Sequence, residues 1–111
     1  MLVTTSNDIP GHEIADCLGL VRGIIVRAPT IGQGLVGGLQ SIFGGRIGAY
    51  AQLCEQAREE ALQIMEQHAK ALGADAVIAV RYDATEFMQG ITEVLAYGTA
   101  VKLTPRSNYT R

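Results

Sequence analysis

The apolar positions of this chain change period along its length, and each change marks an element. Tyr50, Leu53, Cys54, Ala57, Ala61, Ile64, Met65, His68 and Leu72 share one face when residues advance by about 100° each. Gln52, Glu55, Gln56, Glu59, Glu60, Gln63, Glu66, Gln67 and Lys70 take the other side. This predicts one long amphipathic helix ending at Leu72, with Gly73 as a left-handed cap. After the link Gly73-Ala74, the run from Asp75 is too rich in Val and Ile to remain helical. It predicts a strand with Ala76, Ile78, Val80, Tyr82 and Ala84 on one face and Val77, Ala79, Arg81, Asp83 and Thr85 on the other. A hairpin at Met88-Gln89-Gly90-Ile91 leads into a returning strand, Ile91 to Thr104. There Leu95, Tyr97, Val101 and Leu103 form a bulky side, while Val94, Ala96, Gly98 and Ala100 form a small one that suits close approach of another layer.

Ahead of the helix, Leu2 to Thr5 reads as a short strand, followed by a hairpin-like reversal through Asn7-Asp8-Ile9-Pro10-Gly11. His12 to Ala28 reads as one long bent strand in which Ile14, Leu18, Leu20, Ile24 and Val26 share a parity and Gly19 and Gly23 mark bulges or bends. Arg22 interrupts that parity, and Val21 and Ile25 put apolar groups on the second face, so one face is expected against a neighbouring subunit. Thr30 and Gln33 have capping-box spacing for a short helix carrying Leu35, Leu39, Ile42 and Phe43. Gly32, Gly34, Gly37, Gly38 and Gly44 weaken that helix, an interior glycine costing about 1 kcal/mol relative to alanine. The same stretch matches G-x-G-x-x-G, but a dinucleotide fold needs a second parallel strand where this chain has its long helix.

At 111 residues the chain is one domain, 1–111, with a polar tail over 105–111. No apolar run approaches the ~20 residues of a membrane-spanning helix. The first residues lack the basic start and apolar core of a signal peptide, and Cys17 and Cys54 form no paired motif, so the expected setting is cytoplasmic with free thiols. A net charge of −2 gives no basic footprint for nucleic acid or an anionic membrane.

No catalytic constellation emerges. His68 reads as a hydrogen-bonded core imidazole, and its separation from Cys54 along the helix, about 21 Å at ~1.5 Å per residue, rules out a shared metal within one chain. Cys17 and His12 have opposite strand parity. The expectation is a non-enzyme with no cofactor and no metal ligand set. The ligand or interface candidates are Arg46, Tyr50, Arg58, Asp75 and Arg81. Arg58 lies at the edge of the apolar stripe, and Asp75 is its expected partner; Arg81 and Asp83 share a half-polar strand face, fit for a cross-strand ion pair or a ligand contact.

Gly44-Gly45-Arg46 with Tyr50, Ala57-Arg58 and Ala61, Ala71-Leu72-Gly73-Ala74-Asp75-Ala76-Val77, and the closing Gly98-Thr99-Ala100-Val101-Lys102 resemble the small bacterial YbjQ-like family, also called UPF0145 and labelled for heavy-metal binding. The resemblance spans nearly the whole chain. It implies an α+β fold similar to dodecin subunits, with long bent antiparallel strands on one long helix plus a short Gly-rich helix, assembled into a homo-oligomeric ring, a pentamer. It implies no particular activity. The metal label calls for soft ligands, and the chain has no Cys-x-x-Cys, Cys-x-Cys or His pair at i,i+4. Two readings follow: a homo-oligomeric structural or small-ligand-binding protein, and alternatively a heavy-metal-binding protein that uses Cys17, Cys54 or His68 from adjacent subunits.

Overall fold

The computed structural model describes residues 1–27 and 46–106, excluding the side chains of 46–51. The elements are β1 (Leu2–Val3), β2 (His12–Arg27), α1 (Arg46–Ala71), β3 (Ala76–Met88) and β4 (Ile91–Pro105). They form one four-stranded mixed sheet in the order β1-β3-β4-β2, with α1 across one face. The expected Gly-rich helix over residues 32–45 lies outside the described residues.

α1 closes as its sequence directs. Gly73, at φ 83°, follows the last turn; its N–H donates to Lys70 O at 2.9 Å, and that of Ala74 donates to Ala69 O at 3.1 Å. These two bonds are the Schellman pair, which satisfies carbonyls that the helix end would otherwise orphan. The chain turns at once into β3. The two-residue connection Gln89-Gly90 then returns it as β4, with Gly90 at φ 76° and its N–H held by Glu86 Oε2 at 2.7 Å.

The buried stripe of α1 is narrow: Ala57, Ala61, Met65 and Ala69, each one turn from the next. Leu53, Ile64, Leu72, Cys54 and His68, expected in the core, are exposed. Gly23 supplies the reason. A Cβ there would lie 2.0 Å from Ala61 O and 2.6 Å from Met65 N, so the helix backbone rests directly on β2. At that separation only the residues pointing straight down are covered. Gly23 therefore serves helix–sheet approach; the bend falls at Gly19, at φ 113°, beside a register shift against β4.

The faces also correct the sequence reading. β1 pairs in parallel with β3, Leu2 beside Ala76 and Val3 beside Val77, instead of reversing onto β2. On β2, Val21, Gly23 and Ile25 meet the helix, while Leu20, Arg22, Ile24 and Val26 share the opposite, outer face. The small side of β4 packs under the helix as expected, with Val94, Ala96 and Ala100 buried. Below the sheet, Ile9 of the β1–β2 connection covers Ala76, Ile78 and Val101.

β3 does not keep one parity. Ile78 pairs with Thr99, but the next register pair is Arg81 with Tyr97, so the strand carries a bulge, in which Ala79 adopts φ 55°. One extra residue exchanges the faces: Val80 enters the helix-side core, Tyr82 follows it, and Arg81 and Asp83 turn to the outer face. Gly98 opposes the bulge, where a Cβ would sit 2.7 Å from Val77 Cγ1 and 3.0 Å from Val80 Cγ2.

Candidate functional site

The sequence candidates disperse over the fold. Arg46 and Tyr50 lie in the first turns of α1, and their side chains are outside the described residues. Asp75, between α1 and β3, ties the sheet together. Its Oδ2 accepts the Leu103 N–H at 2.8 Å, its Oδ1 lies 3.7 Å from Lys102 Nζ, and its own N–H donates to Val101 O at 2.8 Å.

The expected Arg58–Asp75 pair does not form. From Arg58 to the end of α1 is about 20 Å of helix at ~1.5 Å per residue, and Asp75 lies beyond that end. Arg58 is instead exposed near Tyr82. With no buried partner to orphan, Arg58→Ala should shift stability by no more than about 0.5 kcal/mol, as at an ordinary surface position. Thermal melts check this; a loss several times larger would mean that the guanidinium holds a partner which this arrangement does not contain.

Tyr82 lies on the helix side of β3, beside that arginine. Burial pushes its phenol above the ordinary tyrosine value, Glu59 and Glu55 push it further, and Arg58 pulls it partly back. The fold thus favours the neutral phenol. Its contribution is complete below the ordinary pKa and is lost as pH rises through the higher folded-state value. Urea midpoints measured from about pH 9 to about pH 11 should fall, and Tyr82→Phe should lack part of that fall. Equal pH dependence in both proteins would contradict the assignment.

The most ordered polar arrangement is on the outer face. β4 is central, and its Tyr97 is paired with Arg22 of β2 on one side and Arg81 of β3 on the other. Directly paired residues share a face, so the three side chains form one row across the sheet. Arg81 Nη1 donates to Thr5 O at 3.2 Å and to Val80 O at 2.9 Å. The backbone N–H of Arg22 donates to Nδ1 of His68 at 3.3 Å. The histidine expected in the core therefore serves an open strand edge, and its Nδ1 must be unprotonated to accept. Arg81 had a sequence signal of its own. Arg22 showed only as a break in an apolar parity, and Tyr97 as one bulky residue among several.

Cys17 and Cys54 are exposed on separate elements, and the described residues hold no group of three His, Cys, Asp or Glu side chains close enough to bind a metal ion. No helix among them is long and apolar enough to cross a membrane.

Fold and placements define a small α+β module: a mixed sheet, one covering helix and, on the outer face, a polar row beside the exposed Leu20, Ile24 and Val26 of β2. The chain belongs to the YbjQ-like, UPF0145 family: the profile described as "Putative heavy-metal-binding" matches residues 1–104. It is 62% identical over 101 residues to a UPF0145 protein of Legionella pneumophila strain Paris, covering 91% of this chain and 96% of that one. It is 59% identical over 104 residues to a UPF0145 protein of Chromobacterium violaceum, covering 94% and 89%. In fold it is similar to a crystal structure of a protein of unknown function from Pediococcus pentosaceus, with TM-score 0.57, 21% identity and coverage of 94% and 98%.

Proposed function

We propose that this chain is a non-enzymatic, ring-forming homo-oligomer, expected to be pentameric, that serves as a structural or small-ligand-binding module. The observation that carries this reading is the outer face of β2, where Leu20, Ile24 and Val26 are 60%, 41% and 52% exposed along one strand. Leu53 and Ile64 on the helix and Phe87 and Met88 at the hairpin tip add further uncovered apolar groups. The helix cannot cover those residues of β2, because α1 lies on the other face of the sheet; even there its buried stripe from Ala57 to Ala69 spans about 18 Å at ~1.5 Å per residue, whereas the 16 residues of β2 extend about 50 Å at ~3.3 Å each.

Two strand edges support a head-to-tail contact. β2 ends the sheet on one side, and on the other β1 pairs only with Ala76 and Val77, leaving the edge of β3 that faces away from β4 unpaired from Arg81 to Met88 among the described residues. Edges at opposite ends of a sheet meet heterologously, and such contacts close into a ring when the rotation from one copy to the next closes. Ile24→Glu tests the surface: it should dissociate the assembly in sedimentation while leaving the far-ultraviolet spectrum of the chain intact. Unchanged assembly in that variant would remove the outer face from the interface.

The family description and the exposed thiols favour a second reading, heavy-metal binding through Cys17, Cys54 or His68 contributed by neighbouring subunits. The first reading expects Cys17→Ser/Cys54→Ser to keep its stability and assembled mass, because neither sulfur is buried. Native mass spectrometry of protein purified without added metal compares the two. A metal-free assembly in both wild type and variant supports the first; one soft metal per subunit, lost in the variant, establishes the second.

A further inference from the structure

The row Arg22–Tyr97–Arg81 has a charge imbalance that its surroundings do not relieve. The chain carries 11 acidic residues against 9 basic ones, so carboxylates are plentiful. Asp83 and Glu93 lie on the same outer face, paired with Leu95 and with Val26 and Thr85. Even so, neither Arg22 nor Arg81 has a carboxylate oxygen within 4.0 Å among the described residues; the ion pairs there are Arg27–Glu60 and Lys102–Asp75.

The row is also positioned. Without the bulge at Ala79, Arg81 would fall on the helix face, and the bulge is held in place by Thr4 and Ser6: Ala79 N–H donates to Ser6 O at 2.8 Å and Val80 N–H to Thr4 O at 3.0 Å. Bonds from Arg81 Nη1 to Thr5 O and Val80 O anchor one corner of its guanidinium toward the β1 side of β3 and leave Nη2 and Nε with no hydrogen-bond partner among the described residues. On the other strand, the Arg22 N–H points away from β4 to His68, so Arg22 and Tyr97 form a non-hydrogen-bonded pair, with Cα atoms about 4.5 Å apart and side chains close. Two strand spacings put the arginine Cα atoms about 10 Å apart, within reach of a single group lying over the tyrosine ring.

We propose that Arg22, Tyr97 and Arg81 form a binding site for a small-molecule oxyanion, a phosphate or carboxylate carried on a free ligand. Guanidiniums bind such groups through paired N–H donors, and the half-buried Tyr97 ring gives the ligand body a surface to lie on. The site deepens the ligand-binding reading and rests on it. If a neighbouring copy covers the apolar residues around the row, two guanidiniums lose water together and an accompanying anion offsets that loss.

Calorimetric titration with sodium pyrophosphate and with inorganic phosphate at low salt tests the site. The expected result is saturable binding of at most one anion per subunit, weakened about tenfold or more by Arg22→Gln and by Arg81→Gln. Arg22→Lys and Arg81→Lys, which keep the charge and guard against misfolding of the glutamine variants, should also bind more weakly, because an ammonium lacks the fork. Absence of saturable binding would overturn the proposal. So would binding that all four variants retain, an adventitious ion on other cations. All three residues belong to one chain, so sedimentation of the same samples separates the two ideas: a monomer that binds sinks only the ring, and a ring that does not bind sinks only this site.

Discussion

Gly23→Ala is expected to destabilise the fold by about 3 kcal/mol, the upper part of the range for overpacked cores. The added methyl would meet Ala61 O at 2.0 Å and Met65 N at 2.6 Å, and both are backbone atoms of the helix. No rotamer change can relieve such a clash. The helix must lift, and lifting it opens the contact from which Ala57, Ala61, Met65 and Ala69 gain their burial. Chemical denaturation measures the loss. A midpoint close to that of the wild type would show that α1 does not rest on β2 at this glycine.

Met65→Ala should cost about 3 kcal/mol by a different route. Met65 is wholly buried and is the largest fully buried side chain among the described residues, in a stripe otherwise made of alanines. It belongs to a core cluster otherwise made of alanines and valines, and truncation loses the transfer energy of the removed atoms and leaves a cavity that the surrounding helix and sheet can close only in part. Ile64→Ala, one position along and 38% exposed, should cost well under half as much in the dissociated chain. Comparable losses for the two would contradict the narrow stripe.

Parts of this architecture were legible in the sequence and parts were not, for identifiable reasons. The helix, its cap at Gly73, the Gln89-Gly90 turn and the two-sided character of β4 follow from local pattern and chemistry. The inner face of β2 could not be chosen by periodicity, because both parities carry aliphatic residues; the deciding residue is Gly23, whose role appears only once the helix is in place. The parity of β3 is not legible in the sequence because the bulge falls on an alanine, a residue with no intrinsic preference for φ 55°. Its counterpart, Gly98, lies on another strand.

The same bulge explains how much of the candidate site could be seen beforehand. Arg81 could be singled out, but its neighbours in space, Arg22 and Tyr97, become a row only through the register of three strands and one inserted residue. In the sequence, only complementary charge connects Arg58 with Asp75. The helix separates them, and each finds a different setting: Asp75 on the Leu103 backbone and Lys102, Arg58 beside Tyr82.

The central claim is that the apolar surface left uncovered by α1 is buried between copies of this chain. Sedimentation equilibrium of the unmodified protein at micromolar concentration, without added metal, tests it most directly. A single species at a fixed multiple of 11.8 kDa, unchanged on dilution across that range, is the predicted result. A stable species of 11.8 kDa would contradict it.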